Sequence, residues 1–270
     1  MLVSSLVVVG ALYALGLFRL WRNAGIGSGI STRQALAFAA GWIALVVALS
    51  EPMDEWSDHW LVAHMIQHEL LMIVAAPLLA VAAPLVAIMW AMPPRARQKT
   101  AHAVRRRISR LWSLLASPAT AFILYALALW VWHLPVLYDY ALEHEAAHAL
   151  EHLCFFGTAT LFWWSIAHGQ HGRAGYGAAV VYLFATAAHG GVLGALLTFA
   201  PRVWYPPYLA NHTEALTPLQ DQQLAGLLMW VPASLSFVAG ALFFFAEWLR
   251  QSDRQSRFPA STTWTPTRTR

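Results

Sequence analysis

Long apolar stretches alternate with short polar ones along the whole chain. Seven of them, at about 2–20, 34–50, 60–81, 119–137, 146–167, 177–200 and 223–248, read as membrane spans, since a helix needs roughly 20 apolar residues to cross a ~30 Å hydrocarbon core. Period-two strand patterns are missing. The pattern predicts an all-α membrane protein, a bundle of seven transmembrane helices filling residues 1–250. The polar, Thr- and Pro-rich stretch 251–270 reads as a disordered tail. The first apolar run has no basic residue before it and no small-residue cleavage site after it, so it reads as a span rather than a leader. The stretch 61–91 carries one charge, Glu69. As a single helix at ~1.5 Å per residue it is too long for the bilayer. Pro77 and Pro84 offer breaks, which predicts a span ending near 81 and a short helix at the cytoplasmic interface.

Charge placement gives direction to this pattern. With seven spans, 16 of the 17 Lys and Arg residues fall on alternate loops and in the tail, leaving Arg202 on the other side. The opposite loops are acidic, with Glu51, Asp54, Glu55, Asp58, Asp139, Glu143, Glu145, Glu214 and Asp221. Basic residues mark the cytoplasmic side, so the N-terminus is expected outside and the C-terminus and tail in the cytoplasm. Composition agrees: 59% of residues are hydrophobic and 11% charged, against about 25% charged in a soluble domain. That excludes a disordered chain, a soluble nucleic-acid binder and an ordinary cytosolic enzyme. The lone Cys154 excludes a disulfide framework and a thiolate metal cluster.

The candidate chemistry lies in polar residues inside the spans, where ionisable groups are costly and face the bundle interior. In the third span His64 and His68 are spaced i,i+4 and share one helix face, and a 100° wheel puts Met65 and Met72 on the same arc. In the fifth span His144, His148 and His152 form an i, i+4, i+8 stripe with Glu151 on its arc. His133 closes the fourth span at the same level. Asp221 opens the seventh, with Met229 about two turns further in. Imidazole suits copper, zinc and iron, and added thioether favours Cu(I). Carboxylates such as Glu151 can fix ring tautomers from behind. His189 sits in the small-residue run AAHGGVLGA, which reads as a close helix–helix contact.

Several segments resemble the CtaG-type cytochrome c oxidase assembly factors of bacteria: HMIQHELLMIVAAPLLA at 64–80, WHLPVLYDYAL at 132–142, HALEHLCFFGTATLFWW at 148–164, LGALLTFAPRVWYPPY at 193–208 and DQQLAGLLMWVPA at 221–233. The resemblance runs from about 30 to 250, and the stretch around His189 stands outside it. It implies a multi-pass protein of the bacterial plasma membrane that aids copper-centre formation in a haem-copper oxidase, with no turnover of its own. It implies an oxidase subunit as partner, with a periplasmic copper chaperone as a candidate donor. The matching residues are His64, His68, His133, His148, Glu151, His152, Asp221 and Met229. The expectation is therefore an outward-facing Cu(I) site of His64, His68, His133, His148, His152 and Met229, with Glu151 and Asp221 behind the ligands. The residues by themselves leave other readings open: a haem-binding redox protein with histidines on facing helices, a copper transporter, or a scaffold whose histidines only hold helices together.

Overall fold

The computed structural model describes residues 2–103, 109–168, 173–210 and 216–257, and among these there is no strand. The helices are α1 (Leu2–Ala24), α2 (Thr32–Ala48), α3 (Glu51–His59), α4 (Leu61–Glu69), a π-helical turn (Leu70–Ala75), α5 (Ala76–Val81), α6 (Pro84–Ala91), α7 (Pro94–Ala103), α8 (Ser109–Leu115), α9 (Pro118–Trp132), α10 (Pro135–Glu143), α11 (Glu145–His168), α12 (Arg173–Thr198) and α13 (Pro218–Arg257), with a 3₁₀ turn at Pro206–Ala210. The stretch expected to be a disordered tail is helical up to Arg257, and the rest of it lies outside the described residues.

Four helical segments are long and apolar enough to cross a membrane: Ser4–Ala24, Leu61–Val81, Gly175–Thr198 and Pro218–Asp253. Two bent pairs, α2 with α3 (50°) and α9 with α10 (76°), pass the same test together, which gives up to six spans. The seventh expected span is α11. At 24 residues it is long enough, but Glu145, His148, Glu151 and His152 dilute its apolar character. Large apolar side chains such as Val7, Phe184, Leu242 and Phe243 are exposed on the outer surface, the face a lipid-embedded bundle presents to acyl chains.

Both bends arise where the sequence demands them. The expected fourth span, 119–137, ends as helix at Trp132, because Pro135 opens α10 and Leu134 before it is extended (ψ 127°), as a residue preceding proline prefers. The expected second span stops at Ala48, and the acidic segment after it is a helix, α3, rather than an open loop. Leu61–Val81 runs through Pro77 as one span with the π-helical turn just upstream. That wider turn absorbs the backbone bond that a proline cannot make. The helix is interrupted at Ala83, which adopts a left-handed conformation (φ 49°) ahead of Pro84. The short α6 then packs against α1, with Gly16 directly against the Ala87 carbonyl.

The small-residue run on α12 packs within the chain. A Cβ on Gly194 would lie 2.9 Å from the Gly226 carbonyl oxygen, and one on Gly226 would lie 2.6 Å from the Thr198 nitrogen. The two backbones meet because neither residue has a side chain. At the centre of the bundle α4 and the π-helical turn are enclosed by α2, α3, α11 and α13.

Candidate functional site

The site is built from two helices facing each other with the same i,i+4 spacing. His64 and His68 come from α4, and His148 and His152 from α11. Ring centroids are 4.3 Å apart for His64–His68, 4.3 Å for His148–His152, 5.2 Å for His64–His148 and 5.3 Å for His68–His152. Glu151 lies between them, fully buried, with Oε2 4.0 Å from His64 Nε2 and Oε1 3.9 Å from His68 Nε2. Two groups of donor atoms converge to within 4.8 Å of one another: His64, His68 and His152, and His64, His148 and Glu151.

Among the described residues, sixteen buried side-chain nitrogen and oxygen atoms have no hydrogen-bond partner, and eight are here: His64 Nε2, both His68 nitrogens, Nε2 of His133, His148 and His152, and both Glu151 oxygens. A buried polar atom left unpaired costs about 1–3 kcal/mol, so such groups normally find partners. A cation held by these lone pairs would supply one, and imidazole nitrogens with a carboxylate suit copper or zinc.

The surroundings fix which ring nitrogen offers its lone pair. His133 Nδ1 lies 2.7 Å from the Leu129 carbonyl. A carbonyl only accepts, so Nδ1 carries the proton and Nε2 is free to donate electrons. The Tyr208 hydroxyl donates to the Ser57 carbonyl at 2.9 Å and lies 3.4 Å from His64 Nδ1. With its proton committed to Ser57, the phenol accepts from His64 Nδ1–H, and His64 Nε2 presents a lone pair beside Glu151. Tyr138 bonds Tyr208 at 3.2 Å, and Tyr205 donates to the His133 carbonyl at 3.0 Å. Burial pushes the Tyr205 and Tyr208 phenols up from their ordinary values, so both stay protonated donors.

The expected residues fall into three groups. His64, His68, His148, His152 and Glu151 come together. His133 sits at the edge, its ring 6.4 Å from that of His68. Asp221 acts on backbone: its carboxylate accepts from Leu61 N–H at 2.7 Å and Val62 N–H at 3.1 Å, capping α4 from another helix. Its neighbours share that architectural work, since Gln222 binds Trp204 N–H and the Arg202 carbonyl, and Gln223 the Ala200 carbonyl. Met229 is buried in the core on α13, beyond the Asp221 anchor. His144 leaves the expected stripe because it ends α10, exposed, with its ring stacked on Tyr140. The π-helical turn over Leu70–Ala75 shifts the phase on which Met72 was placed, and the Met72 carbonyl accepts from Trp163. His189 packs against Phe122 and Tyr125, with ring centroids 5.6 and 6.2 Å away.

Sequence reasoning missed Tyr138, Tyr205, Tyr208 and Gln67. Gln67 Nε2 joins the Ala48 carbonyl at 2.8 Å to the Asp54 carboxylate at 2.5 Å, tying α2 and α3 to α4. The signals present were the Tyr-Pro-Pro-Tyr spacing at 205–208 and an amide inside an apolar span.

The fold and site define a multi-span helical membrane protein with a buried imidazole–carboxylate cluster. The family model described as cytochrome c oxidase caa3 assembly factor (Caa3_CtaG) matches residues 11–251, and the chain belongs to that family. It is also 24% identical over 259 residues to uncharacterized protein Mb0105 of Mycobacterium bovis and to uncharacterized protein MT0111 of Mycobacterium tuberculosis, covering 92% of this chain. The chain spans 38% of the length of these relatives. No solved structure matches it.

Proposed function

We propose that this chain is an assembly factor for a haem-copper cytochrome c oxidase, holding Cu(I) as cargo at the His64/His68/His148/His152 cluster and passing it to an oxidase subunit. The observation that carries the reading is the convergence of unpaired imidazole lone pairs and the Glu151 carboxylate in one buried place, in a chain of this family. A cargo site needs exchangeable ligands. Imidazoles whose Nε2 lone pairs have no protein partner meet that need, and Met229 is the candidate thioether ligand from α13. Asp221 supports the site by fixing the first turn of α4. A periplasmic copper chaperone is the proposed donor.

In this reading α11 is a seventh span, and 16 of 17 basic residues fall on one side. The N-terminus then lies outside a bacterial plasma membrane and the C-terminus in the cytoplasm, and the cluster opens toward the outer face. The test is complementation of cells lacking this chain, followed by copper analysis of the purified oxidase. The intact chain restores oxidase copper, and a His64→Ala/His68→Ala variant expressed at equal level does not. Equal oxidase copper with both would overturn the site.

A further inference from the structure

The two convergent donor groups overlap in one residue. His64 belongs both to the group with His68 and His152 and to the group with His148 and Glu151. They differ in access. His64, His68 and His152 are buried, whereas His148 is half-buried. His148 also lines a cavity of about 330 Å³ with Asp54, Glu145 and Phe156; His152 reaches its wall as well, whereas His64 and His68 do not. That cavity is walled by residues of α1, α2, α3 and α11, and Glu145 on its wall is exposed. Asp54 and Asp58 both lie within electrostatic range of His148.

The geometry points to two stations rather than one site: an open station of His148, His64 and Glu151, and a buried station of His64, His68 and His152. A cation is drawn to the Asp54 and Glu145 carboxylates on the cavity wall, binds His148, and moves inward by ligand exchange about His64. The shared ligand matters because a cation stripped of all ligands in a low-dielectric interior carries a prohibitive desolvation cost. With His64 attached throughout, His148 and Glu151 release as His68 and His152 engage. With one nitrogen held throughout, the displacement is at most about 4 Å, twice a metal–nitrogen bond of ~2.0 Å. No electron transfer is involved. This inference rests on the copper-cargo reading above and assigns distinct roles to residues within it: His148 governs the rate of passage in both directions and His68 governs retention.

The test separates passage from retention in the 270-residue chain in detergent. Cu(I) is supplied from a chromophoric chelator complex under reducing conditions, and transfer in each direction is followed by stopped flow. His148→Ala is expected to slow loading and release alike by more than tenfold, because the outer station is crossed in both directions, with the equilibrium affinity changed less than threefold. His68→Ala is expected to speed release more than tenfold while slowing loading less than threefold. His148→Gln and His68→Gln, which keep side-chain bulk and polarity, repeat the comparison where an alanine variant fails to fold. Equal effects of the two substitutions on loading and release would overturn the two-station arrangement and leave a single copper site standing. An intact chain that takes up no Cu(I) would overturn the copper reading itself.

Discussion

The carboxylate of Asp221 accepts a hydrogen bond from the backbone N–H of Leu61 at 2.7 Å, across 160 residues of chain. The first N–H groups of a helix have no partner within it, and α4 meets this need with a side chain from α13. A negative charge there also complements the helix dipole. The bond sets where α4 begins, and therefore where His64 and His68 stand against α11.

Removing the carboxylate should loosen the site without touching a ligand. Asp221→Ala should cost about 1–3 kcal/mol, the penalty for stranding buried donors. It should also lower copper retention with every imidazole intact. Asp221→Asn keeps one accepting oxygen and should fall between. Thermal unfolding in detergent beside chelator competition measures both effects. An alanine variant as stable as the parent would contradict the capping role.

Tyr208→Phe tests the tautomer argument. The substitution removes the hydroxyl that faces His64 Nδ1 and donates to Ser57. The His64 tautomer then rests on the Ser57 backbone carbonyl alone. Copper affinity should fall about 10- to 100-fold, the range for groups that orient metal ligands from behind, while helical content by circular dichroism is unchanged. Unaltered affinity would mean that Tyr208 only seals the site.

Gly226→Ala should destabilise the bundle with no direct effect on the rings. The new methyl would sit 2.6 Å from the Thr198 backbone nitrogen and 2.7 Å from the Gly194 oxygen, so α12 and α13 must separate. Overpacking of this kind costs about 1–3 kcal/mol. Gly157→Ala is the control, since its Cβ would meet nothing within 4 Å. Comparable melting temperatures for the two would contradict the close approach of α12 and α13.

The sequence carried the core of the site because His64/His68 and His148/His152 each use local helical geometry, where i,i+4 spacing alone decides that two side chains share a face. Glu151 followed from the same wheel. The failures came where that regularity breaks. His144 continues the spacing on paper, but α11 starts at Glu145 and His144 ends α10. Met72 was placed by a wheel that the π-helical turn interrupts. The proline that bends the fourth span, Pro135, was visible but lies inside a run apolar enough to read as one helix. Asp221, Tyr205 and Tyr208 act through backbone groups and rings far away in sequence, so no local pattern announces their partners. Gly194 and Gly226 were half legible: the small-residue face was plain, and its partner helix was not.

The decisive measurement is the copper content of the purified 270-residue chain. The protein is exposed to Cu(I) under reducing conditions, freed of unbound metal and measured by elemental analysis. A His64→Ala/His68→Ala/His148→Ala/His152→Ala variant, matched for helical content, is measured beside it. The account predicts close to one copper per intact chain and almost none in the variant. Equal copper in both, iron in place of copper, or no metal in either would contradict it.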